Sequence, residues 1–462
     1  VLWIAILASF VAFLDSTVIN VALPAIADEL GGGLTTQQWV VDAYLVTLGS
    51  LILLAGSLSD VIGRMRVLRV GLVGFGVTSL LCAVAPTGEF LIVSRAVQGV
   101  AGALLVPCSL ALIMSNFTGP PQAKAIGQWT AWTTVSFIIG PVLGGLFVDF
   151  LSWRAVFAIN VIPIAATLWL MHVLGRADTR RPDTTIDVLG AALATIGVGG
   201  PVFALIEQSN FGWSSPVIIV PFVLGVAAFA GFLWRQRVAA QPLMPFSLFA
   251  SRNFSMGNIA TTFIYAALAL GGFVIVVFLQ ESGGLGATIA GLSLLPMTVM
   301  MIVLSSVMGG LAGRYGPRLF MTLGPIISAA GFLMMLAVRI PVDYWFQLFP
   351  GTIIFGVGLA TTVAPLTSAI LGAISPEQSG IASAVNNAIS RVAGLIAIAL
   401  VGIIVGESLD LEGFQRGIAA TAVLLVIGGI TSAVGIRNPD GVTPLRLRRS
   451  RAATRQRPTP RG

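Results

Sequence analysis

A carboxylate in the middle of an apolar helix has to be held by something, and the segment FLDSTVINVALP (13–24) carries one. Asp15 lies near the centre of an apolar run that begins at Leu2, with Asn20 on about the same side and Pro24 beyond. An ionisable group at mid-membrane depth costs at least ~2.5–3.5 kcal/mol, so it needs a partner, a proton or an aqueous cavity. A second run, LIVSRAVQGVAGALLVP (91–107), sets Arg95, Gln98, Gly99 and Gly102 at i, i+3, i+4 and i+7, one helical stripe of a charge, an amide and small residues. Such a stripe turns toward other helices. Because Arg95 is only about five residues from one end, roughly 8 Å, snorkelling to the surface is the alternative. An acid in a low-dielectric cavity, and an arginine whose approach expels its proton, together make a proton relay. Asp42, in WVVDAYLVT (39–47), is the alternative carrier; it reads as shallower, as does Asp149, which has Arg154 within reach as a partner. Asp187, Glu207, Glu281 and Glu407 fall at the ends of apolar runs, where solvation accounts for them. Arg391 lies about ten residues into a late apolar run, by the rise of a helix about 15 Å deep.

These groups require a membrane-sized scaffold, and the composition supplies one. The 462 residues are 56% hydrophobic and only 9% charged, with mean hydropathy +0.97. A chain that apolar cannot cover a water-facing surface, and about 20 apolar residues are needed per crossing. Apolar runs between polar breaks lie near 2–27, 39–60, 67–86, 90–115, 126–150 and 154–174, then 187–206 and 215–234. Six more follow near 254–279, 286–312, 319–338, 346–371, 381–406 and 415–436. That reading is an all-α polytopic membrane protein with 14 transmembrane helices. Of the 25 basic residues, 20 fall in alternate loops or the tail once both termini are placed inside, as the positive-inside rule requires. The net charge of +7 therefore belongs to short loops and a Pro-broken, Arg-rich tail touching anionic lipid, and no nucleic-acid partner is expected. The chain begins at Val1 with no basic leader and no small-residue cleavage site, so a trimmed N-terminus is expected and a signal peptide is not. Cys82 and Cys108 sit inside apolar runs and imply no disulfide.

A weak internal repeat divides the chain. GSLSDVIG (56–63) recurs as GGLAGRYG (309–316), each closing the second run of a six-run set and each followed within two residues by Arg. Transporters that rock two bundles about a central site are built this way. The expected domains are bundles at 1–174 and 254–436, an inserted pair at 187–234 and a basic tail at 437–462. In the first loop, Gly63 permits a tight turn, while Asp60, Arg64 and Arg66 can trade hydrogen bonds with helix ends as the bundles rock. The run SFIIGPVLGG (136–145) sets Ser136, Gly140 and Gly144 four apart, with Pro141 and Gly145 completing a closely packed, kinked seam.

These motifs, in this order, resemble the major facilitator superfamily. GSLSDVIGRMRVL is similar to its signature between the second and third helices, RAVQGVAG to the helix-four motif of proton-linked members, and SFIIGPVLGG to the helix-five antiporter motif. LDSTVINVALP, WVVDAYLVT and SWRAVFAINVIP (152–163) resemble the fourteen-helix drug:proton antiporters. Ser136, where glycine is usual, and Gly313, where a repeat of Asp60 would stand, depart from the pattern. The resemblance implies a major facilitator fold and efflux coupled to proton entry through a cavity shared by the two halves. A bacterial inner-membrane location is expected, with Asp15, Arg95 and Asp42 for proton coupling and Asn20, Gln98, Gly99, Gly102 and Trp132 as cavity candidates.

Other chemistries are disfavoured. The chain has one His, His172, and one Lys, Lys124, with no HExxH and no phosphate-binding GxxxxGK[ST]. No enzyme, metal site or ATP-driven pump is expected, and no cofactor, the proton gradient being the driving force. A repeated fold with a midplane acid suits alternating access better than a pore. One buried acid among apolar walls suggests lipophilic, cationic, drug-like substrates, with export of lipids or other amphiphiles as the alternative. A monomer is expected.

Overall fold

The computed structural model describes residues 1–117, 120–175, 187–375, 378–406 and 408–439, apart from the side chains of Asp60, Pro120 and Ala123. Arg176, Arg180, Arg181, Glu407 and the tail from residue 440 lie outside that description. Among the described residues, 14 helices are long and apolar enough to cross a membrane. Spans 1 to 6 are Leu2–Leu30, Gly33–Ser59, Arg64–Ala83, Gly88–Asn116, Lys124–Phe150 and Ala155–Leu174. Spans 7 and 8 are Val188–Phe211 and Pro216–Val238. Spans 9 to 14 are Arg252–Glu281, Ala287–Tyr315, Pro317–Ala337, Tyr344–Leu371, Ser379–Ala399 and Leu411–Gly435.

Each expected run becomes a helix, and the largest departure at a start has a local cause. Span 2 begins at Gly33, six residues earlier than the apolar pattern suggests, because Gly31, Gly32 and Gly33 all take positive φ (82, 86 and 51°). Three glycines in that region turn the chain at once, so the next helix need not wait for the apolar residues. Span 4 is interrupted at Leu104, span 6 between Ala158 and Val161, and span 10 between Leu292 and Leu295. Each break lies one turn before a proline (Pro107, Pro163, Pro296), whose ring clashes with the carbonyl four residues back and which has no N–H to bond it. Pro24 and Pro141 sit in helices that continue through them.

Span 1 packs on spans 2, 5 and 6, span 2 on span 4, and span 3 on spans 4 and 6; in the last six, span 9 packs on 13 and 14, span 12 on 10 and 11, and span 11 on 14. Spans 7 and 8 lie on one another, and span 7 also reaches spans 2 and 13. Asp187 clasps that pair, accepting the Gly190 N–H at 2.9 Å and binding Arg235 Nε at 2.6 Å. Burial pushes the Asp187 carboxyl up, but the Arg235 guanidinium and the Gly190 N–H outweigh it and hold it below the usual carboxylate range. Trp39 Nε1 donates to Glu207 at 2.7 Å and ties span 2 to span 7. Neither acid is left to solvent, contrary to the expectation for groups at span ends.

The two copies of the repeat form the same turn. Gly63 (φ 115°) ends the helix of span 2 and Gly316 (φ 88°) ends span 10, with the next helix beginning at Arg64 and at Pro317. An even number of crossings puts residue 2 and residue 435 on one side, here termed the near side.

Candidate functional site

Asp15 and Arg95 meet in the interior of the first six spans, both wholly buried. Arg95 Nη1 donates to Asp15 Oδ2 at 2.6 Å and to Gln98 Oε1 at 2.7 Å, and its Nε donates to the Val40 carbonyl at 3.0 Å. The guanidinium lies over the Tyr44 ring, 4.3 Å from its centroid. Gln98 Nε2 donates to Asp15 Oδ1 at 3.1 Å and to Ser79 Oγ at 2.8 Å. Asn160 Nδ2 donates to the same Asp15 oxygen at 2.9 Å. Snorkelling of Arg95 is thus corrected by its burial: the charge has a counter-charge and the carboxylate has donors from spans 4 and 6. Burying such a pair is tolerable only when lone pairs and N–H groups are satisfied in this way. Ser79 and Asn160 escaped the sequence reading. Asn160 stands in the interruption of span 6 that Pro163 creates, so its signal was a polar residue three positions before a proline.

Gly99 and Gly102 do not line a cavity, and neither does Gln98. A Cβ on Gly99 would strike Thr47 Oγ1 and the Tyr44 carbonyl, and one on Gly102 would crowd the Tyr44 hydroxyl at 3.1 Å. They are small because spans 2 and 4 approach closely. Asn20 is half-buried and makes no hydrogen bond among the described residues. Trp132 is exposed and packs edge-on against Trp3 at 5.5 Å. Arg64 Nη1 donates to the Ala111 carbonyl at 2.9 Å, bracing the turn after Gly63 against span 4. The turn also carries Arg66; the Asp60 side chain lies outside the described residues.

Asp42 is deeper than its sequence position suggested, because span 2 starts at Gly33: nine residues in, roughly 14 Å at 1.5 Å per residue. It is wholly buried, and among the described residues neither carboxyl oxygen has a hydrogen-bond partner. Its face is set by its neighbours. Gln38, one turn earlier, donates to the Ile398 and Ala399 carbonyls of span 13 at 2.7 and 3.2 Å. Gly49, two turns later, backs onto the Arg391 Cβ of span 13. Asp42 therefore lies on the seam between span 2 and span 13. A buried charge with no donor is very costly.

The seam around Pro141 is split between two neighbours. Gly140 and Gly144 meet Thr17 and Val18 of span 1, whereas Gly145 abuts Thr288 and the Pro141 carbonyl faces Gly291, both of span 10. Asp149 caps the start of span 10, accepting the N–H groups of Ala287 and Thr288 at 3.0 and 2.8 Å. Its expected partner, Arg154, binds Glu29 instead. Gln37 donates to Glu281 at 2.5 Å. The contacts of span 5 with span 10 and the Gln37–Glu281 bond lie toward the far side, while Leu295–Tyr315, running on to the near side, scarcely touches span 5 and buries only Thr298 and Ala312. The first and last six spans are closed against each other on the far side and apart on the near side between spans 5 and 10. Gly145→Val should wedge the far side open: cysteine pairs introduced across spans 5 and 10 there should cross-link less than in the parent. Unchanged cross-linking would show that the contact is not a closure.

Comparison with known proteins agrees with this architecture. A family model described as Major Facilitator Superfamily matches residues 5–188 and 184–398. A methylenomycin A resistance protein of Bacillus subtilis (strain 168) is 32% identical over 88% of this chain and 87% of its own. Multidrug resistance protein Stp of Mycobacterium tuberculosis (strain CDC 1551 / Oshkosh) is 31% identical over 85% of this chain and 73% of its own. Among solved structures, a peptide transporter, POT, in complex with sulfate superposes with a TM-score of 0.69 at 15% identity, over 93% of each chain; that likeness concerns the fold. The chain belongs to the major facilitator superfamily, a family of membrane transporters that are not enzymes and need no cofactor.

Proposed function

From that membership we propose that the protein exports drug-like, lipophilic compounds in exchange for protons. Two six-helix bundles, 1–174 and 254–436, rock about a shared gap, with 187–234 as an inserted pair. The observation that carries the exchange is Asp42: a wholly buried acid with no hydrogen-bond partner among the described residues, on the seam between spans 2 and 13 that rocking would open and close. Gly63, Arg64, Arg66 and Asp60 brace the near-side turn during rocking, and Gly140, Pro141, Gly144 and Gly145 form the sliding contacts of span 5. The resistance names of two relatives support drug export. The alternation of basic loops supports a bacterial inner membrane with both termini, and so the near side, in the cytoplasm; the state described is then open inward. The cationic preference expected from Asp15 loses its basis, because Arg95 already matches that charge.

The test is a proton measurement in liposomes holding the purified protein and a pH-sensitive dye. Adding a lipophilic drug should collapse an imposed pH gradient in a saturable way. Drug movement without proton movement would defeat the exchange, and transfer of labelled phospholipid without drug-driven flux would favour lipid export.

A further inference from the structure

Arg391 is the second cation in the membrane interior, and nothing described matches it. It stands twelve residues into the helix Ser379–Ala399, far from either end. Its neighbours place it in the gap between the first and last six spans. The guanidinium carbon lies 5.6 Å from the centroid of Phe13 of span 1. Phe13 in turn contacts Phe137 of span 5, centroids 6.1 Å apart. On span 2, a Cβ at Gly49 would lie 3.4 Å from the Arg391 Cβ. Gly394, three residues on, faces Ala269 of span 9.

Among the described residues Arg391 makes no ion pair and donates no hydrogen bond. The carboxylates that could serve are engaged or distant. Asp15 is bound to Arg95, Glu29 to Arg154 and Asp187 to Arg235. Asp149 caps span 10 and Glu281 holds Gln37. Asp42 is on the same seam but two turns of helix from Gly49, roughly 10 Å along the axis. A guanidinium cannot discharge itself by losing a proton and presents five N–H donors. The face of Phe13 attracts a cation but offers no hydrogen-bond acceptor. What fits is a ligand with an acidic group for the fork and an aromatic or apolar body for Phe13 and Phe137.

We propose that Arg391 anchors a substrate site for lipophilic anions, a carboxylate or similar acid bound by the guanidinium fork with its apolar body against Phe13 and Phe137. The proposal rests on the export reading and names the charge class of its substrate. It reverses the cationic preference: the acid that suggested cations is matched, and the cation facing the gap is not.

The experiment is equilibrium binding to the purified full chain in nanodiscs, with no ion gradient. The probes are three pyrene compounds of one body and different charge: 1-pyrenebutyrate, neutral 1-pyrenebutanol and a pyrenebutyl trimethylammonium salt. Pyrene anisotropy reports binding. The parent should bind the anion on the order of tenfold more tightly than the alcohol, a charge-assisted fork being worth about that factor. Arg391→Gln should bring the anion to the level of the alcohol while leaving alcohol binding in place, which also reports folding. Arg391→Lys should keep part of the preference, since it keeps the charge and loses the fork. Tightest binding of the trimethylammonium probe by the parent, no binding of the anion, or an anion preference that survives Arg391→Gln would each overturn the site. An anion preference lost with Arg391→Gln upholds it even if drug-driven proton flux is absent, in which case only the exchange reading fails. Drug-driven flux without any anion preference sinks this site and leaves exchange standing.

Discussion

Asp42→Asn should reduce drug-driven proton flux in liposomes to the leak seen without drug, in a protein that still folds and still binds the drug. The amide has nearly the volume of the acid and cannot carry a proton. Asp42 is wholly buried, and among the described residues neither oxygen has a partner, so no described hydrogen bond or ion pair is lost on substitution. The added cost is that of one buried amide without acceptors, about 1–3 kcal/mol, which lowers the melting temperature without unfolding the protein. Downhill exchange of labelled for unlabelled drug needs no net proton movement and should continue. This separates loss of coupling from loss of the site. Full-size proton flux in a folded Asp42→Asn protein would remove Asp42 from the mechanism.

The second large effect concerns stability. Arg95→Met keeps most of the side-chain volume but leaves the Asp15 charge buried without its counter-charge, at a cost of about 3–5 kcal/mol. Gln98 and Asn160 still donate to Asp15, yet two amides do not neutralise a carboxylate. Removing the charge as well, in the double variant Asp15→Asn with Arg95→Met, should restore much of the loss, since replacing a whole buried pair is often neutral. Thermal unfolding of the single and double variants in detergent reads this directly. A double variant no more stable than Arg95→Met would deny that the pair acts as a unit. The folded double variant should also keep drug-driven proton flux. If it loses that flux while Asp42→Asn keeps it, the proton travels by Asp15, as the sequence first suggested.

The contrast between these two acids shows where sequence reasoning reaches and where it stops. Asp15 draws notice because a charge in an unbroken apolar run is conspicuous, and Arg95 because it heads a stripe of helical period. Both do meet, so the motif was legible. Their roles were not: whether an acid is matched depends on donors from other helices, and Asn160, 145 residues away, supplies one. Asp42 was misjudged in depth because three positive-φ glycines start its helix early, and backbone handedness leaves no mark on hydropathy. Gly99 and Gly102 read as cavity lining because small residues at helical spacing occur both beside cavities and where helices touch. Only the neighbour decides, and here it is Tyr44 of span 2.

By itself the sequence determined the number of crossings, their approximate limits, the repeat and the family. These follow from local physics and pattern: lipid admits only long apolar helices with satisfied backbones, a recurring glycine turn marks equivalent points of the chain, and ordered motifs mark the family. The tertiary structure decided which charges are matched, which side is closed, and that Arg391 faces Phe13 of the first six spans with no ion-pair partner among the described residues. Those depend on distances between residues far apart in the chain, set by how helices pack, and no one-dimensional pattern contains them.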